Sequence, residues 1–173
     1  MVLAGVAAGA WWPVATLELG PPSVGPPGAQ ERAVVLVLPW AVPGRWPNVT
    51  LRYRHSLWGV TVQERLVALP SGLRLEEVRA PTPEVASYYA IPGALLRREG
   101  PVYALVAPGG PAVPELLVRA TETGQRAVQV GTRCLALSQV GERVRLRVRW
   151  VPAWRALAAR RAGGPHVSWQ PCL

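Results

Sequence analysis

A chain of 173 residues has room for one core of ordinary size and little left for a second domain. Half its residues are hydrophobic, and 17 glycines with 19 prolines punctuate it every few positions, which suits short strands and many turns and disfavours long helices. The charge is +9, from 19 Lys+Arg against 10 Asp+Glu, and every cation is arginine and every anion glutamate; a GC-rich coding bias accounts for part of this, yet attraction to anionic groups is physically available.

From Val2 to Leu17 no side chain is charged, and Val2 to Ala8 has the apolar character of a signal or anchor segment. Residues 1–19 therefore read as an apolar leader without a basic start, bearing the small-x-small triplet Ala8-Gly9-Ala10 and the pair Trp11-Trp12, whose indoles suit head-group depth. The other reading of this stretch is a buried first strand or helix. Residues 20–31 are rich in Pro and Gly and read as a semi-rigid linker, leaving a β domain over 32–151 and a basic helix with a C-terminal tail over 152–173.

Within 32–151, apolar runs of strand length recur between turn signals. They are Ala33 to Leu38, Val49 to His55, Val60 to Ala68, Leu73 to Arg79, Val102 to Val106, Leu116 to Ala120, Arg126 to Val130, Arg133 to Leu137 and Arg143 to Val151. The rhythm predicts an all-β fold, a single antiparallel sandwich or partly open barrel of about eight to ten short strands. Two short peripheral helices are predicted: Pro83 to Ala90, with Thr82 as cap and Pro83 in its first turn, and Pro152 to Ala162, which is basic.

In the last strand Arg143, Arg145, Arg147 and Arg149 alternate with Val144, Leu146, Val148 and Trp150, so period two sends four guanidinium groups to one face and four apolar groups to the other. A solvated outer face accounts for this; phosphate of lipid or nucleic acid is the sharper alternative. Single-stranded nucleic acid is disfavoured because the cationic face carries no stacking rings. Cys134 and Cys172 are able to pair as a disulfide in an oxidising compartment. No residues stand at metal-ligand spacing, and no metal or cofactor is expected.

The chemically suggestive stretch is Tyr53-Arg54-His55-Ser56. A hairpin across Ser56-Leu57-Trp58-Gly59 with His55 opposite Val60 puts Leu51, Tyr53, His55, Val60, Val62 and Glu64 on one face, and Arg52, Arg54, Thr61, Gln63 and Arg65 on the other. Tyr53, His55 and Glu64 are thereby directed inward, where polar groups need partners. In that register Glu64 is too far from His55 for a direct hydrogen bond, and no Gly-x-Ser-x-Gly elbow is present, so a hydrolase using Ser56, His55 and Glu64 is only the alternative reading.

Val49-Thr50-Leu51-Arg52-Tyr53-Arg54-His55-Ser56-Leu57, followed by Val62-Gln63-Glu64, resembles the Tyr-x-His-Ser-Val and Val-x-Glu signature of a bacterial family of unknown function, numbered eighteen-fifty. The resemblance runs over most of Arg32 to Val151 and includes the late stretch Arg126-Ala127-Val128-Gln129-Val130-Gly131. Departures are Val60-Thr61, where the family commonly has Thr-Pro, and Pro81 to Tyr89, where it is often glycine-rich. The resemblance implies a non-enzymatic, exported or membrane-anchored accessory of tripartite ATP-independent periplasmic (TRAP) transporters of the TAXI type. It further implies the permease or solute-binding subunit as partner, and Tyr53, His55, Ser56 and Glu64 as a binding pocket.

Overall fold

The computed structural model describes residues 12–22, 33–38, 45–107, 109–161 and 167–172. It is mostly β, a sandwich of two antiparallel sheets that does not close into a barrel. The strands are β1 (Pro13–Gly20), β2 (Val34–Val37), β3 (Asn48–Arg54), β4 (Thr61–Leu69), β5 (Gly72–Ala80), β6 (Leu95–Glu99), β7 (Val102–Val106), β8 (Glu115–Arg119), β9 (Ala127–Val130), β10 (Arg133–Ala136), β11 (Arg143–Pro152) and β12 (Trp169–Pro171). Two short helices, α1 (Pro83–Ser87) and α2 (Ala153–Arg161), lie at the periphery, and a 3-10 turn spans Leu137–Gln139. The sheets run β2-β1-β11-β8 and β12-β10-β9-β3-β4-β5-β7-β6.

All nine anticipated strands form, and three more join them: β1, β6 and β12. The first is a correction. Pro13–Gly20 lies between β2 and β11, with Thr16 opposite Arg149 and Leu19 opposite Leu146, and Leu17 and Leu19 are completely buried. Alternation explains why: Ala15, Leu17 and Leu19 face the core while Glu18 turns outward to Arg149, so the stretch is a strand with one oily face. The fold therefore begins by Pro13 rather than near residue 32. The Pro/Gly stretch assigned as a linker connects two neighbouring strands of one sheet; its residues 23–31 lie outside the described residues, as do residues 1–11 of the leader. The tail is likewise part of the fold, since β12 pairs with β10, and Cys134 and Cys172 are joined as a disulfide with Cα atoms 5.1 Å apart. Among the described residues no helix is long and apolar enough to cross a membrane.

The main core fills the space between the sheets, where Leu17, Leu19, Val144 and Leu146 meet Val49, Leu51, Val128 and Leu135. A second, smaller cluster forms from Tyr53, Val62, Val78, Ala80 and Leu105 under Val85 and Ala86 of α1, with Leu75 packed against both clusters. A bulge between β4 and β5 makes this continuity possible. Arg65 pairs with Glu77 but Leu66 pairs with Leu75, so Glu76 is an extra residue that reverses the parity of β5. Leu73 and Leu75 before it and Val78 and Ala80 after it can then all face inward, and the two glutamates go to the other side. There Arg65 lies 3.1 Å from each glutamate, and Arg79 bridges Glu77 at 2.7 Å and Glu99 at 2.9 Å. Glu77 is only 2 % exposed, and two cations compensate its charge.

The arginine row of β11 has the predicted alternation. Val144, Leu146 and Val148 are buried, while Arg143, Arg147 and Arg149 are exposed and Arg145 is half-buried. Its charge is partly offset in place: Arg149 Nε donates to Glu18 at 2.8 Å, and Arg147 stands between Glu18 and Glu115 in the register. α2 packs back on β1, β2 and β11 and buries Ala156.

Candidate functional site

The β3–β4 hairpin adopts the predicted register, with Leu51 opposite Glu64 and Tyr53 opposite Val62. The His55 N–H donates to the Val60 carbonyl and the Gly59 N–H to the His55 carbonyl, both at 2.8 Å, closing a four-residue turn. Gly59 sits at φ +64°, a left-handed conformation that suits glycine and lets the chain reverse there. Tyr53 and His55 are thus buried on the face turned inward, at 8 % exposure each, and Ser56 is exposed at the start of the turn.

Three elements converge at this end of the sandwich: the hairpin turn, the segment after α1, and the loop that carries the chain from β8 in one sheet to β9 in the other. Between them is an open cleft of about 910 Å³. Tyr53, His55, Ser56 and Glu64, the four residues singled out from the sequence, all line it. So do Arg54, from the same stretch, and residues that no local pattern gathers: Tyr89, Arg119, Arg126, and Thr121, Thr123, Gly124 and Gln125 of the crossover loop. Arg126 opens the late stretch that ends at Gly131, but nothing local to it points at Tyr53.

The floor of the cleft is a hydrogen-bonded chain. Tyr53 Oη donates to Glu64 Oε1 at 2.5 Å, and the Tyr89 hydroxyl contacts the Tyr53 hydroxyl. Because Tyr53 spends its single proton on the carboxylate, the order is Tyr89 to Tyr53 to Glu64. Tyr53 faces Val62 across the ladder, so Glu64 is its diagonal neighbour, within reach of a phenol. Burial first, and then the charge and hydrogen bond of Glu64, push the Tyr53 phenol far above its ordinary pKa. Tyr89 is also raised, chiefly by burial, with the Arg126 charge pulling the other way. Both are held as neutral hydrogen-bond donors rather than as bases.

Above this floor the cleft is cationic. The Arg126 guanidinium lies 4.7 Å from the centre of the Tyr53 ring, a cation–π contact, and forms no ion pair among the described residues. Arg54 Nε donates to the Gly59 carbonyl at 3.0 Å, which fixes its planar head beside the turn and leaves its terminal N–H groups. Arg119 makes one loose, exposed contact with Glu142 at 3.5 Å. The crossover loop is held in shape by Gln125 N–H bonds to the Thr121 and Glu122 carbonyls and by the Gly124 N–H donating to Thr121 Oγ1 at 3.2 Å. It is tied to β3 by the Arg54 N–H donating to the Gly124 carbonyl at 2.8 Å.

His55 is held by its surroundings. Its Nδ1 accepts from the Leu57 N–H at 3.3 Å, so the neutral ring carries its proton on Nε2. Its ring packs 4.6 Å from Trp58 and 5.4 Å from Tyr88, centre to centre. Among the described residues no hydrogen bond links Ser56 to His55 or His55 to Glu64, whose partner is Tyr53, so the nucleophile–base–orienter chain of a hydrolase is not assembled there. The described residues also hold no group of three or more His, Cys, Asp or Glu arranged to take a metal ion; His166 lies outside them. Comparison with protein families, with curated proteins and with solved structures finds no match to this chain.

Proposed function

We propose that the protein is a binding module that takes a small organic anion in the cleft between the β3–β4 turn, Tyr89 and the β8–β9 crossover. One observation carries this reading: three guanidinium groups, of Arg54, Arg119 and Arg126, line the cleft against a single carboxylate, Glu64, which already accepts the Tyr53 hydrogen bond. Planar forks with free N–H groups suit a carboxylate or phosphate, and the Ser56, Thr121 and Thr123 hydroxyls along the same wall supply further donors. The two phenols commit their protons to the chain that ends on Glu64, so neither is free to act as a general acid or base, which favours binding over turnover.

The resemblance carried by Tyr53 to Ser56 and Glu64 supports an accessory role beside a TRAP-type transporter, with the permease or the solute-binding subunit as partner. The Cys134–Cys172 disulfide is in keeping with an extracytoplasmic location, where such bonds persist. Calorimetric titration with carboxylates, phosphate and sulfate tests the cleft. Binding should weaken with added salt, and Arg126→Ala should lower affinity about tenfold or more, the worth of one charged hydrogen bond. Absence of binding for every anion, or equal affinity in Arg126→Ala, overturns the reading. Co-purification with transporter subunits tests the partner separately.

A further inference from the structure

Beside the cleft is a ledge of rings that hydrogen bonding in the site leaves unused. Trp58 and Tyr88 stand 5.1 Å apart, edge to face, and each also packs on His55, so the three rings form a closed triangle. Tyr88 packs in turn on Tyr89, 6.3 Å away. His55 and Tyr89 line the cleft and pack on the ledge, so the ledge adjoins the cationic wall through two shared side chains. Yet the ledge is open to water: Trp58 is 41 % exposed, Tyr88 57 % and the neighbouring Leu57 68 %. Such large apolar groups, grouped and exposed at the mouth of a polar cleft, are a common form for the apolar side of a ligand site.

The position of Arg54 connects the two halves. Its hydrogen bond to Gly59 holds the guanidinium next to the residue that follows Trp58, so an anion on Arg54 stands beside the turn that carries the indole. The Arg54 guanidinium beside the turn disfavours a quaternary ammonium, the other ligand that ring clusters take.

We propose that the ligand is an amphipathic organic anion, its carboxylate or phosphate on the arginines and an aromatic or other apolar body on the ledge of Leu57, Trp58 and Tyr88. This rests on the anion cleft proposed above and adds its specificity. Trp58 and Tyr88 select the ligand's body, whereas Arg54 and Arg126 hold its charge. Both rings belong to segments fixed by their backbone, the turn closed at Gly59 and the turn after α1, so the ledge is preformed.

The test compares acetate, hexanoate and phenylacetate, whose head groups are the same, by NMR shift titration of the folded protein. Phenylacetate should bind at least about fivefold more tightly than acetate, the increment of one aromatic contact, with hexanoate between them. Trp58→Ala should erase most of that preference, lowering phenylacetate affinity far more than acetate affinity, and Tyr88→Ala should reduce it. Both side chains are exposed, and unchanged thermal unfolding verifies that the variants fold. Equal affinity for acetate and phenylacetate, or a preference that survives both substitutions, overturns this inference and leaves the anion cleft standing. If none of the three carboxylates nor phosphate binds, the cleft reading falls and this one with it.

Discussion

Tyr53 concentrates several physical demands on one hydroxyl. It donates to Glu64, accepts from Tyr89 and lies under the Arg126 guanidinium, and its ring belongs to the smaller core cluster. Removing the oxygen leaves a carboxylate and a phenol without their shared partner, so Tyr53→Phe should cost about 1–3 kcal/mol at neutral pH, measured by denaturant unfolding. The pH dependence has a definite sign. Both phenols have pKa values above the ordinary ~10, so above that pH the unfolded chain loses protons that the native protein keeps. Stability due to these groups is fully present below about pH 10 and is lost as pH rises toward their folded values. An alkaline stability profile should therefore fall beyond about pH 10, with a shallower slope in Tyr53→Phe. Ultraviolet titration of tyrosinate should show Tyr53 and Tyr89 ionising later than in the denatured chain; ordinary titration of all four tyrosines contradicts this.

At the scale of elements, β1 has the largest consequence for how the chain is understood. A short uncharged stretch is equally compatible with a leader and with a strand, and the difference is whether a partner waits for it. β11 is that partner, with eight residue pairs running from Pro13 opposite Pro152 to Gly20 opposite Arg145. If β1 is integral, Leu17→Ala removes a completely buried side chain from the middle of the core and should cost about 2–5 kcal/mol in unfolding free energy. A change below about 0.5 kcal/mol, the range of ordinary surface substitutions, means the strand is not docked in solution. The β3–β4 hairpin, by contrast, was readable before any fold was known, because a four-residue turn and alternate polarity together fix register. β6 was missed for the opposite reason: all five of its residues are exposed, so Leu95–Glu99 shows no alternation, and only pairing with β7 makes it a strand.

For the molecule as a whole, the disulfide fastens the last described strand to the edge of the larger sheet across 38 residues of sequence. Closing a loop of that length restricts the unfolded chain, so Cys172→Ser should lower stability by up to about 4 kcal/mol, measured against a reductant-treated control. The groove of about 520 Å³ beside the disulfide shares Tyr53, Arg54 and Arg126 with the anion cleft, so the tail borders the site without contributing to its cationic wall. The architecture explains where the cleft is. Eight strands in one sheet outrun four in the other, and the overhang is covered by α1 and closed by the crossover loop instead of by a facing sheet. Polar groups that a complete sandwich would exclude are accommodated there.

The amino-acid sequence by itself determined the β character, nine of the strands, both helices, the hairpin register and the inward direction of Tyr53, His55 and Glu64, because each follows from period-two alternation and turn chemistry within a few residues. The tertiary structure alone decided that Pro13–Gly20 is a core strand, that Tyr89 meets Tyr53 from 36 positions away, and that Arg119 and Arg126 face the hairpin across the crossover. Those facts depend on which distant surfaces bury one another, and the energy that selects them is shared over a whole core rather than written in any local pattern.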